Sequence, residues 1–274
     1  MATKISTLIL TYNSSYTLER CLKSVQWTDE IVIIDSYSKD STIDIAKKYN
    51  CKIYQIERMR WPDIIKFSLP KLKNDWVLFL DSDEELSPQL QEEIKELFEN
   101  ENINPGGYQI NRQVYFIGKR LNYGEWNNDF QLRIFNKNNT ESSDLEVHGA
   151  FLSKERPQRL KNNIYHYTYR NIFDFVERFN WYSSLDVTVK LNKKPDIQVR
   201  WYNLILNPMC DFLKVYISRK GFKDGIHGFI LAIFSSIHKL CTYAKLWEYN
   251  YCKAHNLELP PINYKELVNL IRRN

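Results

Sequence analysis

The 274-residue sequence has few cysteines, glycines and prolines, and it contains no long apolar run. Its five cysteines are widely separated and include no C-x-x-C pair, which argues against a zinc site or a disulfide framework and predicts free thiols in a reducing compartment. With 8 Gly and 9 Pro the chain is not collagen-like, and 43% hydrophobic with 26% charged residues is typical of a folded globular protein rather than a disordered one.

Neither a spanning helix nor a secretory signal is expected. No segment reaches the ~18 to 20 uninterrupted apolar residues of a membrane span. The opening MATKISTLILTYN has too short an apolar run for a signal peptide. The sequence therefore predicts a cytoplasmic protein that meets a membrane, if at all, from the side.

Charge is unevenly distributed along the chain. Residues 1–150 hold 18 Lys and Arg against 23 Asp and Glu, a net charge of −5, whereas residues 151–274 hold 20 against 10, a net charge of +10. The basic half predicts an anionic partner: a nucleic acid, a membrane surface or a phosphorylated substrate. A solvated basic face explains the same charge equally well.

Apolar β-type runs alternate with helical patterns in the first half, which predicts a parallel sheet flanked by helices. The strand-like runs are residues 5–10, 31–34, 51–56 and 76–80. After residue 171 the pattern is mostly helical and aromatic. We predict an α/β domain over 1–168 and a helical, basic region over 169–274.

Polar side chains follow three of these runs. They are Thr11, Tyr12 and Asn13 after the first run, Asp35 after the second, and Asp81, Ser82 and Asp83 after the fourth. Ligands of open α/β sheets bind beyond the carboxyl ends of the strands, so these groups are expected to converge on one crevice. Two carboxylates in a D-x-D pair can bind a hard divalent cation and leave positions open for phosphate oxygens.

Each of these signals has a structural alternative. Acidic residues are favoured at a helix N-terminus, which explains Glu84 and Glu85 well but explains Asp81, at the strand end, poorly. Asp35 is alternatively a satisfied turn residue. Asp129, in EWNNDFQLR, is the candidate general base, although a single acid of this kind is more often a surface residue. His148 is a candidate metal ligand, but on its own it is more simply a hydrogen-bonded histidine.

A family resemblance rests on several of these segments together. In order, LILTYN, IVIIDSYSKDST, WVLFLDSDEEL and EWNNDFQLRIF resemble inverting glycosyltransferases of family 2, which have the GT-A fold. VHGAF, LKNNIYHYTYRN and KGFKDGIHGFILAIFSSIHKLCTYAKLWE are similar to bacterial lipopolysaccharide core glycosyltransferases of the WaaE/KdtX type. The resemblance covers nearly the whole chain and implies a Rossmann-like, mostly parallel sheet with a helical C-terminal extension.

The resemblance implies transfer of a sugar, with glucose as the first expectation, from a UDP-sugar to a hydroxyl of a glycan or glycolipid such as the lipopolysaccharide core. The implied donor-binding residues are Thr11, Tyr12, Asn13, Asp35, Asp81, Ser82, Asp83, Gln131 and Arg133. Asp81, Asp83 and His148 would lie at a Mn or Mg ion that the diphosphate also coordinates. Asp129 would deprotonate the acceptor hydroxyl.

Three positions depart from the family pattern. Ser14 stands where an acidic residue is usual, Phe67 where the family has Asn in a Gln-basic-Asn stretch, and Gly149 where it has Glu after the histidine. These departures bear on the identity of the donor and on catalytic competence.

The apolar run Gly225–Ile237 is bordered by Lys and Arg. It is too short to span a bilayer but suits an interfacial helix on an anionic leaflet, and the alternative is a core helix. The basic charge and the lipid-linked acceptors of the family favour peripheral contact with the inner face of the membrane. Nucleic-acid binding fits less well, because no reader motif accompanies the charge.

Two other functions compete with glycosyl transfer. A haloacid-dehalogenase-like phosphohydrolase also has an apolar strand ending in D-x-D, with the first Asp as nucleophile. Its motif lies near the N-terminus and is followed by Thr or Val, whereas this chain has Glu84. The other alternative is a degenerate transferase that binds a nucleotide or a membrane without turnover.

Overall fold

A computed structural model describes residues 3–57, 59–100, 103–124, 128–143 and 150–260 of the chain. Two compact units are present, one formed by 1–115 and 128–168 and the other by 116–127 and 169–274. The division into domains 1–168 and 169–274 that the sequence predicts stays a prediction. The structure also assigns 116–127 to the second unit, where the backbone amides of Asn122 and Tyr123 donate to the buried carboxylate of Asp224.

Strands dominate the first unit and helices the second. In chain order the elements are β1 (Ile5–Thr11), α1 (Leu18–Val25), β2 (Glu30–Asp35), α2 (Thr42–Lys48), β3 (Lys52–Gln55), α3 (Trp61–Ser68), a short 3-10 helix (Leu69–Lys71), β4 (Trp76–Asp81), β5 (Glu84–Leu86), α4 (Pro88–Glu99), β6 (Tyr108–Phe116), β7 (Lys119–Arg120), β8 (Asp129–Asn136), β9 (Thr140–Ser142), β10 (Phe151–Ser153), β11 (Gln158–Tyr169), α5 (Ile172–Lys193), α6 (Trp201–Leu213), a π-helical turn (Lys214–Ser218), a 3-10 turn (Gly221–Asp224) and α7 (Ile226–Ala254).

The main sheet has a parallel half and an antiparallel half. Strands β3, β2, β1 and β4 are parallel neighbours in that order. The sheet continues from β4 through antiparallel β8 and β6, and β5 pairs antiparallel with β11. The predicted α/β fold, with a sheet flanked by helices and a helical C-terminal region, is confirmed.

Both faces of the parallel half are buried, as its nearly continuous apolar strands predict. Ile5 and Ile9 of β1 pack on one face with residues of α1 and α4. Leu8 faces the other side and packs with Ile65 of α3 and with Phe135. The start of α4 follows from its sequence, because the side chain of Ser87 accepts a hydrogen bond from the backbone of Leu90 and Pro88 suits the first turn.

Strand register aligns the polar strand ends that the sequence singles out. Thr11 pairs with Asp35, and Leu10, one residue earlier on β1, pairs with Asp81. Because the three strands are parallel, their carboxyl ends lie side by side at one edge of the sheet. The expected convergence of these three segments follows from this pairing.

In the second unit, α7 packs against both α5 and α6. The ammonium group of Lys245 on α7 donates to Asn180, Ser183 and Ser184 of α5 at 2.6 to 2.8 Å. These bonds satisfy a half-buried charge, although burial still lowers the pKa of Lys245. Ser236 of α7 donates to the carbonyl of Pro208 at 2.8 Å, inside α6.

Helix α7 extends well beyond the apolar run that the sequence predicts to be interfacial. It has 29 residues, and an 18-residue window of mean hydropathy 1.2 makes it long and apolar enough to cross a membrane. The sequence expectation concerned uninterrupted apolar residues, and polar residues do interrupt the run after Ile237 without ending the helix. A core helix passes the same test, but only 22% of this window is buried.

A tight turn precedes α7 and depends on glycine. A Cβ atom added at Gly228 would lie 1.9 Å from the carbonyl oxygen of Gly221. We expect Gly228→Ala to lower the free energy of unfolding by about 3 kcal/mol, the upper range for overpacking. Urea denaturation measures the change, with exposed Ala244→Ser on the same helix as the control. An unchanged midpoint for Gly228→Ala would contradict this packing.

Candidate active site

The loop after β1 is tied to the loop after β2 by hydrogen bonds. Asn13 has a positive φ of 49°, and its backbone amide donates to the hydroxyl of Ser38 at 2.8 Å. Its side-chain oxygen accepts from the backbone amide of Lys39, also at 2.8 Å. Tyr12 is 38% exposed at this edge of the sheet. The first predicted donor-binding segment thus forms an ordered rim at the ends of the strands.

Asp35 is fully buried beneath this rim. Its carboxylate accepts hydrogen bonds from the hydroxyl of Thr11, from the amide and hydroxyl of Ser38, and from the side chain of Gln55. Asp35 therefore fastens the two loops together, and a nucleotide would have to displace one of these partners to reach it. Its direct contact with a donor stays a prediction, and so does that of Thr11.

Ser14 connects the first loop to the acidic segment. Its hydroxyl lies 2.7 Å from the hydroxyl of Ser82, between the two aspartates. Its backbone amide donates to Thr42 at 2.7 Å, which holds the residue in place. A small side chain at position 14 permits this contact, so the departure from the family pattern has a structural role here.

Asp81 and Glu84 share one buried arginine. The Nη2 atom of Arg133 lies 2.9 Å from Oδ2 of Asp81 and 2.6 Å from Oε1 of Glu84. The Glu84 carboxylate also accepts from the backbone amide of Asp81 at 3.0 Å. Burial raises the pKa of Glu84, against the opposing charge of Arg133. Arg133 thus stabilises the acidic turn formed by residues 81–84 through its two ion pairs. Its contact with donor phosphate stays a prediction.

The alternative that places Glu84 at a helix N-terminus is wrong. Glu84 begins β5 and is 1% exposed, and α4 starts only at Pro88. The short β5 strand turns this side chain inward, where two arginines neutralise it. Arg112 is the second, with Nη1 at 3.5 Å. No periodicity in the sequence distinguishes this three-residue strand from the beginning of the helix.

We expect Arg133→Met to destabilise the protein by about 3 kcal/mol, because removing one partner of a buried ion pair leaves the other uncompensated. The side chains of Arg133 and Glu84 are 6% and 0% exposed. Urea denaturation measures the loss, and adding Glu84→Gln in the same chain should recover part of it. Equal midpoints for Arg133→Met and the unmodified protein would show that the pair contributes little.

Asp129 lies beside this ion cluster. It pairs across the sheet with Arg112 of β6, whose Nε and Nη2 atoms donate to Oδ2 of Asp129 at 2.8 and 2.5 Å. Gln131 donates to the other oxygen at 2.6 Å. Burial acts to raise the pKa of Asp129, but the charge of Arg112 and these hydrogen bonds together lower it below its ordinary value. Asp129, Gln131 and Arg133 share one face of β8 because they are two residues apart.

His166 is a candidate site residue that the sequence analysis did not single out. It lies opposite Glu84 in the pairing of β11 with β5, and its Nε2 atom is 3.5 Å from Oδ1 of Asp83. Burial acts to lower the pKa of His166, but the adjacent Asp83 raises it overall. The sequence did contain a feature that could have pointed to His166, because this residue lies within the segment LKNNIYHYTYRN that carries part of the family resemblance.

Two stretches near the candidate site are residues 125–127, shortly before Asp129, and residues 144–149, which include His148 and Gly149. Both stretches lie outside the described residues. The predicted role of His148 therefore stays a prediction. Within the described part of the chain, no three His, Cys, Asp or Glu side chains are grouped to hold a metal ion.

Comparison with known proteins identifies the family. Residues 6–156 match the model of glycosyl transferase family 2. The chain belongs to glycosyl transferase family 2. The acidic segment and Asp129 lie within the matched residues, and the phosphohydrolase interpretation of D-x-D is excluded. The predicted family, enzyme class and GT-A type of fold are confirmed.

Relatives of this family 2 glycosyltransferase extend over nearly its whole length. An uncharacterized glycosyltransferase of Rickettsia typhi is 31% identical, over 89% of this chain and 87% of its own. The lipopolysaccharide core biosynthesis glycosyltransferase LpsC of Rhizobium meliloti is 26% identical, over 91% and 94%. Among solved structures, residues 1–349 of S. aureus TarS align over 96% of this chain and 97% of their own, at 15% identity and a TM-score of 0.44.

Proposed function

We propose that this enzyme transfers a sugar from a UDP-sugar, with glucose as the first candidate, to a hydroxyl of a glycan or glycolipid such as the lipopolysaccharide core, with inversion at the anomeric carbon. The observation that carries the proposal is Asp129, held by Arg112 and Gln131 at the side of the Asp81–Arg133–Glu84 cluster. The relationship to LpsC supports this acceptor class.

Asp129 is the proposed general base. Its carboxylate takes the proton of the acceptor hydroxyl as the hydroxyl oxygen forms a bond to the anomeric carbon. The bond from that carbon to the diphosphate oxygen breaks, and UDP leaves with the electron pair. Arg112 and Gln131 lower the pKa of Asp129 below its ordinary value, so the carboxylate is ionised at neutral pH. They also fix the direction of both oxygens.

The donor site is proposed at the rim formed by Tyr12 and Asn13 and at the acidic turn 81–83. Ser14 and Ser82 join these two segments through their hydroxyls, so that nucleotide and diphosphate contacts would lie next to each other. Exposed Tyr12 offers a ring against which a uracil base can pack. Asp35 supports the same rim from below.

The residues fit a divalent cation that a diphosphate helps to coordinate. Asp83 and His166 face each other, and the Asp81 carboxylate is 38% exposed. One or two carboxylates plus substrate phosphates are the usual protein site for Mg²⁺, and Mn²⁺ accepts the same oxygen ligands as well as imidazole. When bound, the cation would neutralise charge developing on the departing diphosphate. We propose Asp83 as its principal protein ligand, next to His166 and with the diphosphate supplying further oxygens, and Asp81 and His148 are further candidates.

The enzyme is proposed to act in the cytoplasm at the inner face of the membrane, where a lipid-linked acceptor would be reached. The net charge of +10 over residues 151–274 supports an anionic surface as partner. No observation favours a nucleic acid.

Titration calorimetry of UDP and a panel of UDP-sugars into the purified protein, with and without Mn, tests the donor assignment. We expect binding that Mn strengthens and one sugar nucleotide that binds best. Release of UDP on adding a lipopolysaccharide core acceptor tests transfer. Absence of binding by the folded protein would refute UDP as the nucleotide, and binding without turnover on a panel of acceptors would indicate a scaffold.

A further inference from the structure

Helix α6 has an exposed apolar face. Its buried residue is Pro208, while five large apolar side chains recur three or four residues apart on one side of the helix. These residues are between 41% and 56% exposed: Tyr202, Ile205, Leu206, Met209 and Leu213. The sequence interpretation, confined to Gly225–Ile237, does not include this helix.

Helix α7 has a matching face along its whole length. The opposite side is buried in the second unit through Leu231, Ala232 and Leu246. The outward side carries six large apolar residues at helical spacing, each at least 37% exposed: Ile226, Phe229, Ile237, Leu240, Trp247 and Tyr251. We call these six residues and the five residues of α6 the hairpin face.

Aromatic contacts join α7 to the C-terminal end of α6 and to the turn that follows it. The ring centroid of Phe229 lies 6.2 Å from that of Phe212 and 5.6 Å from that of Tyr216. Tyr216 also contacts Phe222, which is 46% exposed in the turn between the helices. Eleven large apolar side chains are exposed on these two packed helices, which indicates a partner, because monomeric soluble proteins rarely expose large apolar patches.

The turn between the helices determines which partner fits. Residues 214–223, KVYISRKGFK, contain four basic residues and no acidic one. Lys214, Lys220 and Lys223 are exposed. Trp201, 69% exposed, begins α6, and Trp247 lies near the end of α7. Lysines bind lipid phosphates, and tryptophan prefers the boundary between headgroups and acyl chains.

We propose that the hairpin face lies in the headgroup region of an anionic bilayer, with α6 and α7 parallel to the membrane plane and the basic turn on lipid phosphates. The inference rests on the proposed membrane location and deepens it by naming the surface and adding α6. A flat orientation follows from the charged turn, which would have to enter the hydrocarbon core if the pair inserted end-on.

Flotation of the full-length protein with vesicles tests this surface. Vesicles of phosphatidylglycerol and phosphatidylethanolamine are compared with vesicles of phosphatidylcholine alone. The test variant is Ile205→Ser, Met209→Ser and Leu213→Ser combined. The control carries serine at two exposed apolar positions of the first unit, Tyr16→Ser and Leu152→Ser. Circular dichroism checks that each variant is folded. UDP binding is measured separately, so that a result against the membrane-binding surface can be distinguished from a result against the donor site.

We expect the unmodified protein and the control to float with anionic vesicles, and the test variant to bind at least about tenfold more weakly, because interfacial affinity scales with buried apolar area. Changing Lys214, Lys220 and Lys223 to Gln should remove the preference for anionic vesicles. Equal flotation of the test variant and the control would overturn the proposal. The proposal would also be overturned if the unmodified protein formed a dimer, did not float with vesicles, and lost the dimer in the test variant. It would be overturned as well if vesicle-bound protein were released by detergent but not by alkaline carbonate.

Discussion

Asp129→Asn will reduce sugar transfer by about a thousandfold, within the range that general base catalysis contributes. The amide keeps the shape of the carboxylate and can still accept the hydrogen bonds of Arg112 through its oxygen, but it cannot take a proton from the acceptor. UDP binding should change by less than about twofold, since Asp129 acts on the acceptor. Steady-state release of UDP with acceptor present measures the first effect, and calorimetry the second.

The matched control is Asp75→Asn. Asp75 directly precedes β4, at the other end of the strand from Asp81, and is paired only loosely with Lys137 at 3.5 Å. It should leave turnover unchanged. If Asp129→Asn turns over at the unmodified rate, another group removes the proton. If it loses UDP binding as well, Asp129 belongs to the donor site rather than to the acceptor side.

Asp83→Ala will weaken Mn-dependent binding of UDP by about a hundredfold or more, the upper end of the loss that follows when a metal site is disturbed. The carboxylate faces His166 at 3.5 Å, and its removal leaves the proposed cation with too few protein ligands. Binding in the absence of Mn should change little. Calorimetry with UDP, with and without Mn, separates the two contributions.

Glu85→Ala is the control for this effect. Glu85 is two residues away, on the face of β5 opposite to Glu84, and its carboxylate accepts a hydrogen bond from Tyr167 at 2.9 Å. It should retain the full Mn dependence of binding. Retention of that dependence in Asp83→Ala would remove Asp83 from the metal site, and loss in both variants would point to general destabilisation of the acidic turn.

The ends of the parallel strands were predictable from local sequence pattern. Apolar runs ending in TYN, Asp35 and DSD predict parallel strands, and the register of β1 with β2 and β4 places those ends together. Ser87 and Pro88 predict the start of α4 for a local reason, since a cap needs only a hydroxyl three residues before an amide. Such features depend on neighbours in sequence, and they were predictable.

The partners of the candidate base were not predictable in this way. Arg112 reaches Asp129 only because β6 and β8 pair in one register, and a shift by one residue would turn Arg112 to the other face. His166 likewise meets Asp83 through the pairing of β11 with β5. These residues are 17 and 83 positions from their partners, so no periodicity connects them.

The sequence by itself determined the α/β class, the position of the acidic segment at a strand end, the candidate base and the basic helical half, because each follows from local composition, periodicity or motif order. The tertiary structure alone decided that Glu84 is buried, that Arg112 and Arg133 neutralise the acidic cluster, and that α6 and α7 each leave a row of apolar side chains exposed. Burial and pairing depend on which distant segments come into contact, and the free energy of a charge or an apolar side chain depends on those contacts more than on its neighbours in sequence.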